Sequence, residues 1–363
     1  MLTRTKPQFQ REQPNGFYQT LKANVKDIIE HRQQKANAIS WSKLITYPLL
    51  YILTYFFLLT KGDNLIWFYC CYSLMGITVT LIVFNIVHDA VHHALFKKTN
   101  YNKKAAMLLD FLGGNSFVWS KRHVLYHHTF TNVPGWDIDI KQTNILRFNK
   151  KQEFLPSHRY QHLYMPFLYL FYSLNWTLVR DFKDFFSASS LVKQKTKIKK
   201  IEYSKLFFFK IIHFFIVLVL PVIFLQHAWY YFLTGFILMH WFTSALTLLV
   251  LLPSHLDEHA HFPEADENLL LEDTWAVHQL KVTNDFGTDH PVLNFIMGGL
   301  NHHIAHHLFP TVNHNIIPKI TEHIVRAAKA NHLPYHCYSL KNVMVSHFRL
   351  LKENSVQQNF FEE

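Results

Sequence analysis

The sequence predicts an all-α integral membrane protein: two transmembrane helical hairpins, about four spans, carrying a helical cap on the cytosolic side. Three observations predict it. Mean hydropathy over the 363 residues is only +0.01, but charge and apolarity are segregated along the chain, as in spans joined by polar regions. The apolar runs come in two pairs, each pair split by a very short polar turn. Lys and Arg, which give a net charge of +11, avoid both of those turns except at Lys61.

The first 40 residues are polar and basic, with no apolar run after Met1, so a cleaved signal peptide is not expected. Spans are expected at about 45–60 and 65–87, separated by Lys61-Gly62-Asp63-Asn64. A second hairpin is expected at about 206–225 and 229–252, joined by Gln226-His227-Ala228. Runs of this length suit a hydrocarbon core that takes roughly 20 apolar residues to cross. Lys210 lies near the start of the third run, where its long side chain can snorkel to the interface. Shorter apolar stretches at 107–119 and 163–179 read as interfacial helices or packing elements of the cap.

The basic residues sit in the N-terminal, middle and C-terminal regions, so the positive-inside rule places all three on the cytosolic face. The organisation is then an N-terminal segment, 1–42, a membrane domain, 43–335, and a C-terminal tail, 336–363. The basic run 193–200 flanks an apolar span and forms no independent basic module, which favours an anionic membrane surface over nucleic acid. Cys70, Cys71 and Cys337 imply no disulfide framework.

Histidine is the outlier, at 26 residues. Ten of them fall in three clusters: His88-Asp89-Ala90-Val91-His92-His93, His123-Val124-Leu125-Tyr126-His127-His128, and His302-His303-Ile304-Ala305-His306-His307. On a helix, positions i and i+4 share a face, so each pair at that spacing is expected to grip one metal ion. A single HxxxH pair is as readily a solvent-facing or carbonyl-bound pair. Three clusters beside a membrane would be costly unless metal or hydrogen bonds satisfied the rings. Candidate ligands exceed the four that close a zinc site, so the cap is read as holding a histidine-caged di-metal site. Imidazole alone does not choose the metal.

The boxes HxxxH, HxxxHH and HxxHH, with the stretches HHTFTNVPGWDIDI, WAVHQLKVTNDFG and GGLNHHIAHHLFP, resemble the membrane fatty acid desaturase family, in its acyl-lipid and linoleoyl-CoA, front-end-like branch. The resemblance covers about 88–310. His303 and Ala305 depart from the Gln and Glu that many front-end members carry in the last box. The resemblance implies two iron ions, dioxygen as co-substrate, and an oxidoreductase that places a double bond in a fatty acyl chain carried by CoA, lipid or a carrier protein. It implies His88, His92, His93, His123, His127, His128, His303, His306 and His307 as ligands, with a further one outside the boxes. His255, just past the fourth span, and His278, in WAVHQL, are the candidates, and position favours His255.

Asp89, Asp137 and Asp139 are candidates to accept the far N–H of a ligating ring. For Asp137 and Asp139 the alternative is a turn after Pro134-Gly135. Trp119, Trp136 and Trp275 are candidates for lining an acyl path. His240, in mid-span, needs a buried hydrogen-bond partner. No flavin, iron–sulfur or haem-domain motif is present, so electrons are expected from a separate ferredoxin or cytochrome b5 with its reductase. The rival enzyme reading is a di-iron hydroxylase or ketolase of alkanes, sterols or carotenoids. A metal transporter would hold its ligands near the bilayer midplane, whereas these boxes stand at span ends.

Overall fold

The computed structural model describes residues 5–140 and 143–356. Among these, four helices are long and apolar enough to cross a membrane: α1 (Phe17–Lys61), α2 (Leu65–Val91), α3 (Lys200–Phe224) and α4 (Trp229–Leu251). They present a belt of exposed apolar side chains, Ile52, Phe56, Ile66, Ile211, Ile223 and Trp229 among them, as a lipid-facing surface requires. The chain is an integral membrane protein by this measure.

The helix α1 is longer than its apolar run predicts. Its 45 residues extend about 68 Å at 1.5 Å per residue, more than twice the thickness of the hydrocarbon core, and it crosses the expected boundary at residue 42 without a break. Its N-terminal half is polar outside, but Leu21, Val25 and Ala36 pack on Ala276, Leu280, Ile304 and Ile320. That sparse apolar stripe holds one end of the helix to the cap while the other end spans.

Asn64 starts α2 by accepting from the Ile66 and Trp67 amides, which satisfies donors that no helical carbonyl can reach. The two hairpin turns meet each other: Asp63 Oδ1 accepts from the Gln226 amide at 2.9 Å, and His227 Nε2 lies 2.8 Å from the Gly62 carbonyl. Both tips therefore sit together at the end of the bundle away from the histidine clusters. Between the hairpins α2 and α4 pack backbone to backbone. A Cβ on Gly76 would lie 2.2 Å from the Met239 carbonyl, and Thr243 Oγ1 donates to the Gly76 carbonyl at 3.0 Å. Small residues allow such close approach in membranes.

Lys210 does not snorkel. It is buried, its Nζ 2.7 Å from Asp181 Oδ2, at the start of the helix Asp181–Phe186, and 2.6 Å from the Gly113 carbonyl. The stretches at 107–119 and 163–179 form short broken helices, among them Leu108–Phe111 and Gln161–Tyr169, with Phe111, Leu163 and Phe167 exposed. His240 meets Ser173 Oγ at 2.9 Å, the buried hydrogen bond its position calls for.

The cap is completed by α5 (Trp275–Val282), α6 (His303–Leu308), α7 (Ile317–Ala330) and α8 (Leu340–Glu353). Two small parallel pairs tie its ends, β1 (Gln8–Gln10) with β2 (Leu270–Thr274) and β3 (Asp285–Phe286) with β4 (Cys337–Tyr338).

Candidate metal centre

The first histidine box is the C-terminal end of α2. His88 and His92 share a helix face as their spacing predicts. The helix then stops in a Schellman turn: the Ala94 amide reaches the Asp89 carbonyl at 2.8 Å and the His93 amide the Ala90 carbonyl at 3.1 Å. That turn puts His93 at φ 59°, the left-handed conformation, and its ring in solvent. His93 is thus separated from its neighbour His92 by the geometry of helix termination, and the expectation that it joins the cluster is corrected.

The second box lies on a wide π turn, Lys121–His127, that continues the helix Ser116–Ser120. The His128 amide bonds the His123 carbonyl at 3.0 Å, an i to i−5 link. One residue more per turn brings His123 and His128 to one face and sends His127 to another. The expected pairing of His123 with His127 is therefore replaced by His123 with His128. In the third box, on α6, the helical spacing holds: His303 and His307 face one way and His306 the other. Asp285 fixes the start of this helix by accepting from the Ile304 amide at 2.8 Å and from the Tyr335 hydroxyl at 2.7 Å. Burial pushes its carboxyl up to about 7.

These segments bring nine buried imidazoles into two adjacent groups. His88, His92, His123, His128 and His306 form one, and His127, His255, His303 and His307 the other, with the ligand atoms of each group within 4.8 Å of one another. His255, just past α4, joins the second group, its Nε2 2.9 Å from that of His303. His278 does not join: its Nε2 donates to the Thr131 carbonyl at 2.9 Å and its ring faces Phe9. One residue on, at roughly 100° around α5, it is Gln279 that faces the histidines. The groups touch where His128 and His307 stack, ring centroids 4.2 Å apart.

The donor set fits metal ions. Within the group of five, His123 Nε2 lies 3.1 Å from His88 Nε2 and 3.2 Å from His128 Nε2, and His128 lies 3.0 Å from His306. Two nitrogens held about 2.1 Å from one ion at right angles would stand about 3.0 Å apart. His92 Nε2 and His307 Nε2 are buried with no protein partner, an arrangement that costs free energy unless something else accepts those lone pairs. Burial pushes His123 down to about 4. It also holds His128, His255, His303, His306 and His307 well below the ordinary imidazole value, and neighbouring imidazoles lower each further. Neutral rings are the form that binds metal.

Carboxylates and carbonyls surround the groups. Asp137 Oδ2 accepts from His127 Nδ1 at 2.9 Å, and although burial opposes charge on that ring, Asp137 outweighs it and raises the pKa. Asp139 Oδ2 lies 3.5 Å from His123 Nδ1. Burial alone would raise Asp139, but His123 and Arg122 overcome it and hold the carboxyl below its usual range. Arg122 and Arg180 anchor that carboxylate at 3.1 and 2.8 Å. Asp89 faces elsewhere: its Oδ2 accepts from His314 Nδ1 at 2.7 Å, while His88 Nδ1 is 4.0 Å from its other oxygen. His314 Nε2 in turn meets buried Lys43 at 2.9 Å. Trp119 stacks on His123, and Trp275 donates to the His128 carbonyl at 3.2 Å, whereas Trp136 packs on Phe130 away from the rings.

Sequence reasoning missed His314, Lys43, Arg122 and Gln279. For Gln279 the available signal was its place beside His278 on a short helix. For His314 and Lys43, more than 270 residues apart in the chain, there was none.

The profile of the fatty acid desaturase family matches residues 63–339. The chain is 30% identical over 246 residues to sn-1 linoleoyl-lipid 6-desaturase of Arthrospira platensis, covering 68% of this chain and 66% of that one. It is 29% identical over 280 residues to the protein of the same name from Synechocystis sp., covering 77% and 78%. Against acyl-lipid (8-3)-desaturase of Physcomitrium patens it is 29% identical over 282 residues, covering 77% of this chain and 58% of the relative.

Proposed function

The chain belongs to the fatty acid desaturase family, and from that premise we propose that it is an oxygen-dependent oxidoreductase that inserts a double bond into a fatty acyl chain. One observation carries the reading: nine buried imidazoles converge in two adjacent groups in a chain that also has four helices fit to span a membrane. An unactivated methylene has no acidic proton and no leaving group, so side-chain acid–base chemistry cannot open it. When bound there, two iron ions would supply the redox chemistry by which dioxygen, with two electrons from the donor and two protons, takes up the two hydrogens and leaves as two waters.

In this reading His88, His92, His123, His128 and His306 would hold one ion, and His127, His255, His303 and His307 the other. Asp137 and Asp139 keep the rings of His127 and His123 turned so that Nε2 faces inward. Asp89 is engaged by His314 instead of by a ligating ring, with His88 Nδ1 4.0 Å from its other oxygen. Trp119, beside His123, borders the approach for the acyl chain, whose methylene must be held dry and close to the centre for reaction. The relatives' names, linoleoyl-lipid and acyl-lipid desaturases, point to a lipid-linked acyl group such as linoleoyl as the substrate class. Electrons come from a ferredoxin or cytochrome b5 with its reductase, docking on the basic face. That face, both termini and the histidine groups are cytosolic by the positive-inside argument, with the paired hairpin tips on the far side.

The test is lipid profiling by mass spectrometry in a desaturase-deficient host with a working electron donor, beside His127→Ala. New double bonds made by the native chain and lost in the variant are expected. Hydroxylated products, or coincident profiles, overturn the reading.

A further inference from the structure

Gln279 is fully buried on α5, against the ring of His307 and the backbone of His128. Its Oε1 is 2.9 Å from His307 Nδ1 and 3.0 Å from Thr131 Oγ1, and its Nε2 is 3.4 Å from the His128 carbonyl. That carbonyl can only accept, so the amide nitrogen must face it and the amide oxygen must face His307. With an acceptor opposite Nδ1, the neutral His307 ring carries its proton on Nδ1. Its lone pair is then on Nε2, the atom that is buried without a protein partner and belongs to the group with His127, His255 and His303.

No backbone carbonyl substitutes for this amide. His255 and His303 take their orientation from the Val282 and Leu300 carbonyls at 3.1 and 2.9 Å, contacts that any side chain on those residues would preserve. His307 depends on side chains alone, chiefly Gln279 at 2.9 Å, with the Thr131 hydroxyl farther off at 3.3 Å from the same Nδ1. Thr131 buttresses it: its hydroxyl lies within reach of the His127 carbonyl at 2.7 Å as well as of Gln279, so the second box, α5 and the third box are locked around one amide.

We propose that Gln279 is a positioning residue that sets the tautomer and aim of His307, and so governs retention of the single metal ion held by the four-histidine group. The inference rests on the reading of two ions given above. A neutral Gln is suited to the task where a carboxylate would add a charge beside His307, while an apolar residue would let the ring take the other tautomer and present N–H to the ion. Partners of this kind typically change metal affinity by about 10- to 100-fold.

The experiment is iron content per chain in detergent-purified full-length protein, before and during timed exposure to a chelator, for the native chain, Gln279→Leu and Gln279→Glu. Size-exclusion behaviour and thermal unfolding are followed in parallel. The native chain should hold about two ions. Gln279→Leu should lose one of them at least about 10-fold faster while the other follows native kinetics. Gln279→Glu, which restores an acceptor, should recover slow release even if Leu proves poorly folded. Native release from Gln279→Leu, equal acceleration of both ions, or fast release from a folded Gln279→Glu would each overturn the inference. A native chain that never holds two ions would instead overturn the reading on which it rests.

Discussion

The two histidine groups hold their rings in different ways. In the group of four, every Nδ1 has an acceptor: Asp137 at 2.9 Å for His127, Val282 at 3.1 Å for His255, Leu300 at 2.9 Å for His303 and Gln279 at 2.9 Å for His307. In the group of five, among the described residues, Asp139 at 3.5 Å from His123 is the nearest such partner, and the Nδ1 atoms of His88 and His128 are buried without one. The group of five has an extra ring and gains its order from regular backbone, with His88 and His92 on a spanning helix and His123 and His128 on a π turn. A site can thus be held by aim or by number. The first is stiff and sensitive to the loss of any one ring, and the second is redundant and adjustable.

The contrast breaks or sharpens on three further measurements. The largest effect is expected from removing one ring per group. His255→Ala leaves three imidazoles and should lower iron to about one per chain, whereas His306→Ala leaves four, the number that closes a tetrahedral site, and should keep close to two. Both should lose product in the lipid assay. Equal iron loss from the two variants would break the comparison. A smaller effect is expected at the carboxylates. Asp137→Asn, at 2.9 Å from its ring, should weaken retention by about 10- to 100-fold. Asp139→Asn, at 3.5 Å with two arginines left facing each other, should weaken it less, and chelator release rates rank the two. The smallest is His93→Gly. A left-handed residue other than glycine costs about 1 kcal/mol, so this variant should unfold at a slightly higher temperature and keep both ions. Loss of iron from it would return His93 to the ligand set.

The four spans were legible because transfer free energy sums over some twenty residues and tolerates an interruption such as Lys210. The convergence of the boxes into histidine groups that could hold metal was legible because imidazoles at that density have few other uses. The allocation of rings was not. Spacing assumes a 3.6-residue turn, and the π turn at 121–127 changes it without altering one letter of HxxxHH. The Schellman turn likewise separates His92 from His93 although both letters read as ligands. His255 was favoured on position over His278, and the structure brings His255 into a group while binding His278 to the Thr131 carbonyl. Gln279 was hidden because an amide carries no ligand signature of its own. The extension of α1 into the cap was hidden because its apolar stripe is only a few residues long and its surroundings are charged.

Both groups draw rings from the same six-residue helix, His303–Leu308, and that has a consequence for how the protein is made. A chain growing from its N-terminus displays the first two boxes and His255 before α6 exists, so the four-histidine group, which takes His303 and His307 from that helix, cannot close until it is made, whereas four rings of the other group are already present. On the reading proposed above, the four-histidine group would therefore be charged late, after both hairpins are inserted and the cap has folded. A chain made with too little metal would then be inserted in the membrane with that group still open, although its polypeptide is complete.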